Sequence, residues 1–214
     1  MTDALLSGLL LVAVLALLAW DQYRLYVARY ELAALQRATL RDALTGLANR
    51  TGLADAWTQL ATLRPWVVVV DLDDFKPVND THGHAAGDLV LTAVASRLRS
   101  IHGVAARLGG DEFAALLLDP NPAAAARQLA AAIAAPVRLP SGITVSVTAS
   151  IGLAPAIPAG LAAALADADA AMYRAKTTRA GVVAFDPLRD DHATANPRPV
   201  LRVRDLASSW GVGR

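Results

Sequence analysis

Arg107-Leu108-Gly109-Gly110-Asp111-Glu112-Phe113 stands between two apolar runs, Val104–Leu108 and Phe113–Leu118, and its reading decides the fold. Apolar segments on either side of a Gly-Gly pair read as a β-hairpin. Glycine takes positive φ cheaply and leaves no side chain between the backbone and an approaching ligand. Two acids beside so bare a backbone suit a metal-bound polyphosphate, because hard oxygens ligate Mg²⁺. Alone, the string fits a solvated hairpin tip as well.

A second acidic cluster separates these readings. Trp66 to Val70 is a continuous apolar run, the pattern of a buried strand, and it ends in Asp71-Leu72-Asp73-Asp74-Phe75-Lys76. Carboxylates at a strand end can hold Mg²⁺, while strand-end amides face phosphate oxygens and a nearby ammonium meets a terminal phosphate. If the hairpin pairs beside this strand, Asp71 and Asp111 converge on one metal.

Further blocks follow in order: Asp42-Ala-Leu-Thr-Gly-Leu-Ala-Asn-Arg50, Asn79-Asp80, Gly83-His84-Ala-Ala-Gly87-Asp88, Thr148-Ala-Ser-Ile-Gly152 and Ala168-Asp-Ala-Ala-Met-Tyr-Arg-Ala-Lys176. With them the chain resembles the GGDEF-domain family, the diguanylate cyclases, from about Arg41 to Asp186. The resemblance implies an α/β (α+β) fold similar to the palm of nucleotidyl cyclases and polymerases, with a central, mostly antiparallel sheet wrapped by helices. It also implies condensation of two GTP into cyclic di-GMP and two pyrophosphates, with Mg²⁺ or Mn²⁺ as cofactor. Carried over by position, Asp71, Asp111 and the Leu72 carbonyl are metal ligands. Asp111, Glu112 and Lys76 form the catalytic set, with Glu112 beside the reacting 3′-hydroxyl. Asn79 and Asp88 read guanine, Lys76 and Lys176 contact phosphates, and Phe75, Gly109, Gly110 and Arg107 complete the substrate-binding set. Arg107 can reach a phosphate or pair with a neighbouring acid. Each family domain binds one GTP, so a homodimer is required to close the product.

The chemistry asks for these residue types. A 3′-hydroxyl is a poor nucleophile until a metal lowers its pKa, and leaving pyrophosphate needs its charge neutralised. Guanine offers N1–H and N2–H₂ donors that one carboxylate such as Asp88 accepts together, and Asn79 can donate to O6 or N7. Adenine lacks that donor pair and would leave the acid unpaired.

The net charge is +1, with no basic stripe interleaved with aromatics, so nucleic acid is not an expected partner. The absence of cysteine excludes disulfides and thiolate metal sites. Lys76 and Lys176 are the only lysines of the sequence, and Glu112 is one of two glutamates.

Ala4 to Trp20 carries no charge and reads as a transmembrane helix, with residues 1–22 as the membrane segment. It would rise about 25 Å against a hydrocarbon core of about 30 Å. Trp20, Tyr23 and Tyr26 suit an aromatic belt, and Arg24, Arg29, Arg37 and Arg41 follow it. The positive-inside rule then gives a single-pass protein of the bacterial inner membrane with its catalytic domain, residues 41–186, in the cytoplasm. Residues 23–40 form a linker helix; Leu25, Ala28, Leu32, Leu35 and Thr39 fit a short parallel coiled coil or an amphipathic helix packed on the domain. Residues 187–214, with Pro187, Pro197 and Pro199, are expected to form a flexible tail.

Other segments are read more simply. His82 and His84 lack a third nitrogen ligand and count as structural. Asp42 or Thr45 serves caps and turns where the linker meets the domain, and Asp73 and Asp74 are loop acids or caps outside the metal set. Ile143–Leu153 alternates apolar and polar residues and predicts one half-buried strand. Two departures from the family stand out. Its Arg-x-x-Asp inhibitory site falls on Ser100 and Gly103, so product inhibition there is expected to be absent. Its usual phosphate arginine falls on Ala180; Arg179 is one residue earlier, about 100° away on a helix.

Overall fold

The computed structural model describes residues 15, 17–27, 40–156 and 160–190. The chain divides into two units, Met1–Thr39 and Leu40–Arg214. In the first, residues 17–27 are helical, with Leu17, Leu18, Trp20, Tyr23 and Tyr26 exposed. Among the described residues no helix is long and apolar enough to cross a membrane. The span expected over residues 1–22 lies mostly outside the described residues, as do 28–39 of the linker and 191–214 of the tail.

The second unit is built on a five-stranded sheet. In chain order its elements are α1 (Arg50–Leu60), β1 (Trp66–Leu72), α2 (Phe75–His82), α3 (His84–Leu98), β2 (Gly103–Gly109), β3 (Glu112–Leu117) and α4 (Pro122–Ile133). There follow the short pair β4 (Val137–Arg138) and β5 (Thr144–Val145), then β6 (Ala149–Pro155), α5 (Leu161–Thr178) and β7 (Val182–Ala184). The strand order is β2-β3-β1-β6-β7, and only the β6–β7 pairing is parallel. The sheet is thus mixed and mostly antiparallel.

Strand β1 sits at its centre, which explains the unbroken valine run. Val67 and Val69 pack with α1 and α5 on one face, while Val68 and Val70 pack with α2, α3 and α4 on the other. All four are at most 1 % exposed. Each contributes about 1.5–3 kcal/mol by burial, so neither face tolerates a polar residue. Helix starts follow local chemistry: the Asn49 side chain accepts from the Gly52 amide at 2.9 Å, and Asn121 accepts from Ala124 at 3.1 Å ahead of Pro122.

The single strand expected over Ile143–Leu153 is corrected. Residues 144–145 pair with β4 in a separate two-stranded ribbon, residues 146–148 leave both sheets, and 149–155 form β6. Through Ala154, β6 is buried on both faces rather than one, because α5 covers one side and the α4 layer the other. Gly152 permits this: a Cβ there would lie 2.0 Å from the Ala168 carbonyl oxygen and 2.3 Å from the Met172 nitrogen.

Candidate active site

Antiparallel pairing of β1 with β3 sets Asp71 directly across from Glu112, and the Leu72 amide donates to the Asp111 carbonyl at 3.3 Å. On the other side of β1, β6 sets Ser150 across from Asp71 and Ala149 across from Leu72. The two acidic clusters of the sequence therefore meet at one end of the sheet. Helix α5 brings Lys176 to the same place, its Nζ donating to Asp71 Oδ1 at 2.5 Å.

Negative charge is in excess here. Burial pushes the Asp71 carboxyl above its ordinary value, and the charges of Asp111 and Asp73 add to that, more than the Lys176 contact offsets. Glu112 is also raised, first by burial, then by the charge of Asp71, with Arg50 opposing. Burial pulls Lys176 down, but the hydrogen bond and charge of Asp71, with Asp73 and Asp111 beyond, carry it up overall. Asp71, Glu112 and Lys176 are thus each inclined to keep a proton.

The hairpin tip is clasped from behind. Arg107 donates from Nε and Nη2 to the Gly110 carbonyl at 3.0 and 2.8 Å, and its Nη1 lies 3.3 Å from Asp42 Oδ1. Asp42 Oδ1 also accepts from the Thr45 amide and hydroxyl at 2.8 and 2.6 Å. Arg50 Nε donates to the Leu108 carbonyl at 2.7 Å. Of the two placements left open for Arg107, pairing with an acid is the one seen. Gly109 and Gly110 have φ of +145° and +52°, and nothing lies within 4 Å of where their Cβ atoms would be, so the outer face of the tip is open.

Asp73 has another task. Its carboxylate accepts from the Thr148 and Ser150 hydroxyls, both at 2.8 Å, and its amide donates to the Thr148 carbonyl at 2.9 Å. This ties the exit of β1 to the entry of β6. Asp74 follows with φ of +52° at the start of α2, without a side-chain capping bond. Thr148, Ala149, Ser150, Asp73, Asp74, Lys176, Arg179 and Gly181 line a cleft of ≈ 590 Å³. Arg179 is not the next helical residue after Lys176 and its neighbours: it caps α5 in the left-handed conformation, φ +54°. A helical rotation of about 100° therefore does not describe where its side chain goes.

A third group gathers where α2 meets α3. Phe75 is buried, Lys76 is exposed in the first turn of α2, and Asn79 is half-buried. A Cβ on Gly87 would lie 1.9 Å from Asn79 Oδ1 and 3.1 Å from Phe75 Cζ. That glycine lets Asn79 lie against α3, one residue from exposed Asp88. His82 and His84 flank Gly83 at the same junction.

Residues 39–181 match the family described as diguanylate cyclase, GGDEF domain. The chain belongs to the GGDEF family. It is 45 % identical over 150 residues to an uncharacterised 19.3 kDa protein of Streptomyces ambofaciens, covering 64 % of this chain and 78 % of that one. It is 41 % identical over 177 residues to the diguanylate cyclase TpbB of Pseudomonas aeruginosa, covering 75 % of this chain but only 40 % of that longer protein. Among solved structures, the coiled coil and GGDEF domain of DgcB from Caulobacter crescentus, in complex with c-di-GMP, superposes with a TM-score of 0.66 at 29 % identity. That match covers 79 % of this chain and 97 % of that one.

Whether the GGDEF residues present suit a divalent ion can be tested on the structure. Among the described residues no three His, Asp or Glu side chains are arranged to hold a metal by themselves. The Asp71 carboxylate nevertheless has a cation against it, the Lys176 ammonium, within an excess of acid. Two carboxylates, a backbone carbonyl and oxygens from a bound polyphosphate are the kind of set Mg²⁺ takes, since it rarely has an all-protein cage. The residues fit.

Sequence reasoning assigned no role to the Thr148 and Ser150 hydroxyls, to Arg50, or to Asp169. The last is a buried acid on α5 whose charge is felt at Glu112. Only their position inside the quoted blocks signalled them.

Proposed function

We propose that this GGDEF chain is a diguanylate cyclase that joins two GTP into cyclic di-GMP with release of two pyrophosphates. The observation that carries the reading is the β1–β3 register, which brings Asp71, Asp111 and Glu112 to one sheet end beside Lys176 and an open glycine tip. A divalent ion, Mg²⁺ or Mn²⁺, held by Asp71, Asp111 and the Leu72 carbonyl would lower the pKa of the 3′-hydroxyl and neutralise the leaving group.

The protein groups have separable tasks. Glu112, with its raised proton affinity, is suited to take the 3′-hydroxyl proton. The bare backbone of Gly109 and Gly110 lets the nucleotide approach the tip. Lys76, Lys176 and Arg179 face the phosphates with positive charge. Asp88 and Asn79 select guanine over adenine through the paired donors of its edge, with Gly87 leaving room for the Asn79 side chain. Arg107, engaged by Gly110 and Asp42, holds the tip rather than a phosphate.

Closure of a two-fold product requires two such sites face to face, so the working unit is a homodimer. An N-terminal membrane anchor and a linker helix would raise the effective concentration of that pairing. With such an anchor the protein would sit in the inner membrane with its GGDEF domain in the cytoplasm. Feedback through the family's Arg-x-x-Asp position has no support in the geometry. The Ser100 hydroxyl donates to the Arg97 carbonyl at 2.7 Å, and a Cβ on Gly103 would lie 1.8 Å from the Leu116 carbonyl oxygen.

The test is incubation of the full chain, in membranes, with GTP or ATP and Mg²⁺, with products read by mass. Cyclic di-GMP from GTP and no cyclic product from ATP is expected. GTP binding by confirmed dimers without any product would replace this reading with a non-catalytic GTP-binding module.

A further inference from the structure

The contact between Lys176 and Asp71 joins a residue suited to phosphate with a residue suited to metal. Its two halves are unequal: the Asp71 side chain is 13 % exposed and the Lys176 side chain 47 %. Asp71 is fixed within β1, the central strand. Lys176 lies in the last turn of α5, at the rim of the ≈ 590 Å³ cleft that also holds Arg179, Gly181 and the start of β6. Of the pair, only the lysine has somewhere to go.

We infer that Lys176 is a place-holding cation: it neutralises Asp71 in the free protein, gives way to the divalent ion, and turns into the cleft to meet the nucleotide phosphates. The inference rests on the cyclase reading and adds a coupling to it. An ion arriving alone must break the lysine contact and leave the ammonium without its acid. An ion arriving with a polyphosphate supplies the ammonium with a new partner. Metal and nucleotide therefore favour each other's binding, and by linkage the favour is mutual. Lys176 is a positioning residue in this sense, acting on the metal carboxylate before it acts on substrate.

The sequence makes the test direct, because the full chain contains only two lysines, Lys76 and Lys176. Nitrogen-15 lysine labelling gives two ammonium signals, assigned with Lys76→Arg. Mg²⁺ is expected to shift the Lys176 signal and speed its proton exchange, with a smaller change at Lys76, and a non-hydrolysable GTP analogue should shift Lys176 again. In Lys176→Met, Mn²⁺ affinity without nucleotide should rise about two- to five-fold, the range for a partly exposed ion pair. Affinity for the analogue should fall, and the mutual enhancement should vanish. Mn²⁺ binding with an unmoved Lys176 signal overturns the inference and leaves the cyclase reading standing. No Mn²⁺ binding, with or without the analogue, overturns both.

Discussion

Arg107 and Asp42 lie 65 positions apart in sequence and form an ion pair at 3.3 Å that fastens the start of the domain to the back of the Gly-Gly tip. Asp42 is held below its ordinary value. Burial works against this, but the Thr45 hydrogen bonds and the Arg107 charge together outweigh it. A depressed carboxyl stabilises the fold above its unfolded value near 3.8 and loses that contribution as pH falls through the folded value. Asp42→Asn should therefore flatten the acid limb of the stability curve, and Asp42→Ala should cost about 1–3 kcal/mol at neutral pH. Urea melts at a series of pH values measure both.

Gly152→Ala should separate β6 from α5. Its new methyl would meet two backbone atoms, which cannot rotate away. The expected loss is about 1–3 kcal/mol, with a raised KM for GTP because α5 carries Lys176. Chemical denaturation with steady-state kinetics checks it, and unchanged values for both would show that the helix accommodates the methyl.

Arg179→Ala should raise the KM for GTP about three- to ten-fold with kcat nearly unchanged, the pattern of lost ground-state phosphate binding. An unchanged KM would remove Arg179 from the phosphate set.

Asp190→Ala should destabilise the domain by about 2–4 kcal/mol. The Asp190 side chain is 1 % exposed and receives Arg174 Nε and Nη2 at 2.6 and 3.0 Å, with the Asp186 amide at 2.7 Å. Removing it strands a partly buried guanidinium on α5. A melting curve decides it, and a chain ending at Asp186 should behave like the substitution.

Strand β1 and the hairpin are legible in the sequence for a physical reason. A strand buried on both faces is continuously apolar, and a tight hairpin tip with positive φ favours glycine, as at Gly109 and Gly110. The meeting of the Asp71 and Asp111 segments follows from those strands once they pair, so that juxtaposition is legible too. Ile143–Leu153 misleads because a period-two pattern survives a change of sheet: alternation reports strand geometry locally and not which partner the strand has. The hold of Thr148 and Ser150 on Asp73 spans 75 and 77 residues, and such distant hydrogen bonds leave no local pattern. Arg179 is hidden for a different reason. Counting around a helix presumes that the helix continues, whereas α5 ends at Thr178 and Arg179 turns left-handed.

The most direct measurement is GTP turnover with Mg²⁺ by the full chain and by Asp111→Ala, alongside the melting temperature of each without metal. Removing one acid from a site with excess negative charge should leave the fold as stable or more so, while cyclic di-GMP formation falls by at least about a hundred-fold. Equal turnover in the two proteins would contradict the assignment of the Asp111 carboxylate to the reaction.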